Sequence, residues 1–133
     1  MEQVTFRLKS GDLLKETIER VVQENYIEAG GMLSMVGSLD VAVLRMADAT
    51  SDSRPVKQWR ESMEIVSATG TVSIEGCHVH VSISDKNGIV YGGHLSDGCV
   101  VKTTVEVIIL VFHNSKFKRI FDQGTGFKEL VVE

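Results

Sequence analysis

Hydrophobic and polar residues alternate with period two along most of this chain, the pattern of half-buried β-strands. Val4, Phe6 and Leu8 alternate with Thr5, Arg7 and Lys9 near the N-terminus. The period then changes. Leu14, Ile18, Val21, Val22 and Tyr26 share one helical stripe among charged residues, which predicts an amphipathic helix. Ser10 or Asp12 is its expected N-cap, and Gly30 with Gly31 its expected end. From Met32 the pattern is extended again. "MLSMVGSLDVAVLRM" reads as a strand with a bend or bulge near Gly37, and "ADATSDSRPVKQ" as a polar loop. "WRESMEIVSATGTVSIEG" reads as two strands broken near Thr69 and Gly70. "GCHVHVSISDKNGIVYGGHL" reads as a hairpin, and "VVKTTVEVIILVF", rich in β-branched residues, as the strongest strand. "SKFKRIFDQGTG" reads as a connection with a helical turn, and "FKELVVE" as a short terminal strand. The expected fold class is α+β: a mostly antiparallel sheet packed against one main helix, as one compact domain over residues 1–133.

Composition narrows the function classes. With 43% hydrophobic residues in 133, the chain can bury a real core. The net charge is −4, and the only basic run is Lys116, Lys118 and Arg119. Binding to nucleic acid draws most of its affinity from phosphate neutralisation, so this charge balance argues against it. The longest apolar run, Val105 to Phe112, is interrupted by Glu106 and too short to span a bilayer. The N-terminus has no signal-like apolar region, and the two cysteines form no CxxC. A cytoplasmic location is therefore expected. Phosphate loops, GxGxxG and GxSxG are all absent.

The chemistry that stands out is histidine. Three of the four histidines lie in "GCHVHVSISDKNGIVYGGHLSDGC". Alternation sends Cys77, Val79, Val81 and Ile83 to one face and His78, His80, Ser82 and Ser84 to the other. The partner of His80 depends on the turn. A two-residue Asn-Gly loop would place His94 opposite Val81, on the wrong face. A three-residue loop, Lys86 to Gly88, pairs His80 with His94 and sets His78 on the diagonal. Facing Cβ atoms are then about 4.5–5.5 Å apart and diagonal ones about 7–8 Å. Three imidazoles so placed could converge on one ion, zinc or another divalent first-row metal. The alternative is a solvated polar face. Gly92 and Gly93 would leave room beside the cluster for an ion, a ligand or another chain. Because neutral imidazole is the ligand, metal is expected to leave below about pH 6. His113 reads as a surface residue.

Glu106 interrupts an apolar strand, and a half-buried carboxylate there would need a partner. It could orient a metal-bound histidine or act as general base on a metal-bound water. The alternative is a structural pair with Lys102, Arg7 or Arg60. Glu64 raises the same question. These residues define a second reading, a small metal-dependent hydrolase.

The GxHxH…GGHL combination resembles the core motif of the PPC (plants and prokaryotes conserved) domain family. "RLKSGDLLKETIERVVQENYIEAGGMLSMVGSLDVAVL" and "MEIVSATGTVS" extend the resemblance over nearly the whole chain. It implies a compact domain that assembles as a homotrimer, with His78, His80 and His94 as ligands of a metal usually taken as zinc. It implies no assured activity, so the leading reading is an assembly or interaction module with an unknown protein or small-molecule partner. Plant members add an AT-hook that enters the minor groove of DNA. No such segment occurs here, since the one proline, in "DSRPVKQ", lacks the glycine core. A DNA-binding or regulatory role is therefore the third reading.

Overall fold

In a computed structural model covering Met1–Glu133, the chain forms nine strands and one helix. The order is β1 (Glu2–Lys9), α1 (Leu14–Glu24), β2 (Gly30–Arg45), β3 (Val56–Trp59), β4 (Met63–Ser73), β5 (Gly76–Ser84), β6 (Val90–Leu95), β7 (Val100–Val111), β8 (Phe117–Asp122) and β9 (Phe127–Val132). Strands hold 59% of the residues and the helix 8%, so the fold is mainly β. This corrects the expected α+β balance. The helical stripe is genuine but ends at Glu24, and only Leu14, Ile18 and Val22 on it are buried. Tyr26 falls off the stripe, with φ +49 and 69% exposure.

The helix start also differs from expectation. Leu13 is the N-cap and makes no side-chain cap bond. Asp12 instead accepts a hydrogen bond from the backbone N–H of Lys9, at 2.8 Å. The N–H of Leu14 donates to the carbonyl of Cys99, at 2.9 Å. Approach of the β6–β7 connection thus satisfies a donor that a capping side chain would otherwise satisfy. Gly30 and Gly31 open β2 rather than ending the helix.

Seven strands form one antiparallel sheet in the order β1-β7-β2-β4-β5-β6, with β3 on β2. The sheet curls until β6 meets the far end of β2, pairing Leu44 with Leu95 and Arg45 with His94. Inside the curl, 23 buried residues form one cluster, and the three buried residues of α1 belong to it. The expected break at Thr69 and Gly70 does not occur, because β4 runs unbroken from Met63 to Ser73. A Cβ on Gly70 would lie 2.2 Å from the carbonyl oxygen of His78. The glycine admits the neighbouring strand. The break was misread from a residue that serves close approach.

The segment read as a connection forms β8, which pairs with β9 as a separate two-stranded hairpin. It docks through the Phe117 N–H to the Glu28 carbonyl (2.9 Å) and the Lys118–Glu75 ion pair (3.1 Å). No helix is long and apolar enough to cross a membrane.

Candidate metal centre

The turn between β5 and β6 decides the geometry. The N–H of Asp85 donates to the carbonyl of Ile89 at 2.9 Å. Its Oδ1 accepts from the N–H groups of Asn87 (2.8 Å) and Ile89 (3.0 Å). Gly88 takes φ +79, a left-handed conformation open to glycine at little cost. The loop therefore has three residues, Lys86 to Gly88, and His80 faces His94.

Curling of the sheet extends that pair into a row. Arg45 on β2 faces His94, which faces His80, which faces Thr69 on β4. His78 lies opposite Thr71. Gly93 has a different use from the clearance expected of it. A Cβ there would stand 2.8 Å from the carbonyl oxygen of Arg45 and 3.0 Å from the Leu44 side chain. Its missing side chain lets β6 reach β2. Gly92 does border the cavity beside His78, His80 and His94.

The three rings have centroid separations of 5.0, 5.0 and 5.5 Å. One ring nitrogen from each lies within 4.8 Å of the others. The Nε2 atoms of His78 and His80 are 3.1 Å apart. Two nitrogens bound tetrahedrally at about 2.0–2.1 Å lie roughly 3.3 Å apart. The His78–His80 spacing matches that value, and with His94 the set would supply three of the four ligands a tetrahedral divalent ion takes. Cys77 points to the other face of β5, against the core. Burial pushes its thiol up to about 11, and its position leaves it outside the group of converging donor atoms.

Electrostatics favour the neutral form of His78 and His94. Burial, then the charges of Arg45, His78 and His80, push His94 down to about 4. Burial, then His80 and Arg119, hold His78 below the ordinary imidazole range. Arg45 also contacts His94 directly, Nη2 to Nδ1, at 3.3 Å. Guanidinium has no acceptor, so Nδ1 accepts and the ring proton sits on Nε2. This contact holds Arg45 beside the trio.

Two cavities flank the trio. One, of about 460 Å³, has Arg45, Arg54, Arg119, Phe127, His78 and His94 in its walls. The other, of about 400 Å³, adds Met46 and Gly93 to the three histidines. Sequence reasoning missed the arginines. The basic run containing Arg119 was visible, but it lies on a hairpin read as a connection.

Neither glutamate singled out by sequence reaches this place. Glu106 is exposed on the outer face of β7, opposite Arg7 and Val36, and needs no buried partner. The trio's row meets β2 only at Arg45. Glu64 faces Ser84, at the turn end of β5, and lines a separate polar cavity with Ser62 and Lys102. His113 is exposed and hydrogen-bonded to Glu2.

Comparisons with known proteins place the fold. A hypothetical protein from Salmonella cholerae-suis superposes with a TM-score of 0.92 at 29% identity, covering 99% of this chain and 93% of that one. A metal-containing protein from Archaeoglobus fulgidus superposes with a TM-score of 0.87 at 32% identity, covering 98% and 94%. Among curated proteins, the bifunctional protein GlmU of Synechococcus sp. (strain JA-3-3Ab) is 38% identical over 127 residues, or 96% of this chain. This chain spans only 20% of that relative's length. The model of the Plants and Prokaryotes Conserved domain matches residues 1–113. Shared motif, shared fold and that match lead to one conclusion: the chain belongs to the plants and prokaryotes conserved domain family.

Proposed function

We propose that this protein is a metal-binding module in which His78, His80 and His94 hold one divalent first-row ion, zinc foremost, and that it works as a homotrimeric assembly or interaction module. The observation that carries the metal reading is the convergence of three imidazole nitrogens within 4.8 Å. The metal content of the Archaeoglobus protein supports it. When bound, such an ion supplies a Lewis-acidic position with one open site. The chain's own residues hold it, and Arg45 and Arg119 place positive charge beside it.

The hydrolase reading has no base in place, since Glu106 and Glu64 lie elsewhere in the fold. The carboxylates that do line the arginine-bearing cavity are engaged, Glu75 by Lys118 and Glu129 by Thr125. Homotrimer formation is supported by the resemblance and by exposed apolar residues on β2 and β4, Leu33, Val36 and Val66.

Elemental analysis of purified protein tests the metal centre. About one ion per chain is expected, with His94→Ala lowering zinc affinity at least tenfold, since loss of even an outer hydrogen-bond partner typically costs about 10–100-fold. Zinc that neither co-purifies nor binds at micromolar concentration would end the reading.

A further inference from the structure

The arginine-bearing cleft carries more positive than negative side chains: Arg45, Arg54, Arg119 and Lys128 against Glu75 and Glu129. The chain is acidic overall, at −4. Yet Arg45, Arg54 and Arg119 line one cavity of about 460 Å³, and none of them takes part in any of the molecule's ion pairs. Each is held by an uncharged partner. Arg119 Nη2 donates to Thr71 Oγ1 at 2.7 Å. Arg45 and Arg54 lie against the ring of Phe127, 5.1 and 5.0 Å from its centroid. The two carboxylates in the cleft are turned to other partners: Glu75 to Lys118 and the Arg119 backbone, Glu129 to Thr125. Grouping like charges costs free energy unless an opposite charge joins them.

We propose that this cleft binds a small organic anion, its carboxylate or phosphate held by Arg45, Arg54 and Arg119 beside the histidine trio. Guanidinium groups pair with such oxyanions through two parallel hydrogen bonds, which a lysine cannot reproduce. The cavity falls within the range of small-molecule sites, about 300–1,000 Å³, and exceeds what one inorganic ion fills. Phe121 and Phe127 give the rest of the ligand an aromatic wall. Arg45, which touches His94, brings the anion next to the ion position. A divalent cation there adds positive charge and strengthens the need for an anion. The proposal deepens the metal-centre reading but rests on the arginines, not on the ion. Arg119 and Phe127 belong to the β8–β9 hairpin, beyond the residues 1–113 that match the family model.

Calorimetry at low ionic strength tests it, with glycerol 3-phosphate, lactate and inorganic phosphate titrated into metal-free and zinc-loaded protein. At least one organic anion should bind the metal-free protein with a Kd below about 1 mM. Tighter binding of lactate identifies a carboxylate site, and tighter binding of glycerol 3-phosphate a phosphate site. Arg119→Gln and Arg54→Gln should each weaken binding about tenfold, the loss of a charge-assisted hydrogen bond. Arg54 is exposed and outside every strand, so that variant leaves folding intact. No heat with either organic anion at about 10 mM, equal affinity in wild type and both variants, or inorganic phosphate binding as tightly as glycerol 3-phosphate would each overturn the proposal. The two readings separate: anion binding retained in His94→Ala protein that has lost zinc leaves the cleft standing alone, and zinc binding without anion binding in the wild type leaves only the metal centre.

Discussion

Burial first, and then the charge of Arg45 in contact with it, set how His94 responds to pH. His94 has a folded pKa of about 4, against an ordinary value of 6.5. Between those values the unfolded chain takes up a proton that the folded chain refuses. Folding stability therefore falls as pH drops from about 6.5 toward 4, and is unaffected by this group above that window. Thermal unfolding of metal-free protein should show a lower Tm at pH 5 than at pH 7, with the difference reduced in His94→Gln. An unchanged difference in that variant would show that His94 is not the cause. The same depression alters the expectation for metal. Ordinary imidazoles would release it below about pH 6, whereas low proton affinity at His78 and His94 extends retention further down. Zinc retained at pH 5.5 after dialysis would show this directly. The histidine triangle was legible in the sequence because its members sit on one hairpin, where period two and a turn suffice. Arg45 was not, since it reaches His94 from 49 positions away through closure of the sheet. Glu106 was read as half-buried because it interrupts an apolar run, whereas it stands on the exposed face of β7.

Closure of the sheet is an element-scale event that depends on a few backbone approaches. Gly93 has the carbonyl of Arg45 where its Cβ would be, and Gly70 has that of His78. Gly93→Val should force β6 away from β2 and cost about 1–3 kcal/mol, the usual penalty of overpacking. Denaturant melting would read that loss. Zinc binding should survive it, because β5 and β6 supply all three histidines. Loss of zinc together with stability would mean that the β2 contact is needed to hold the trio. The strands that alternate cleanly, β1, β5 and the core face of β7, were readable from pattern alone. β8 was not, because Lys118 and Arg119 stand side by side and break the alternation. Tertiary contacts with Glu28, Glu75 and Thr71 supply what local pattern does not. The helix was readable, but its weight in the fold was overstated: 11 residues against nine strands.

At the scale of the whole molecule, the core faces inward and several apolar side chains of β2 and β4 are left on the outer surface. Leu33, Val36 and Val66 are each more than half exposed. Large exposed apolar groups gathered on a sheet face favour cover by another chain. Sedimentation should find trimers, and Leu33→Glu combined with Val66→Glu should shift the population to monomers without loss of zinc. A monomeric wild-type protein would remove the assembly reading. The two sites differ in how much of the chain they need. The trio lies within a single hairpin, while the arginine cleft draws on β2, the loop before β3 and the β8–β9 hairpin. Short loops close at lower entropic cost than long ones. On the readings proposed above, the ion site asks for one turn alone, whereas the anion site asks for the last hairpin to be docked.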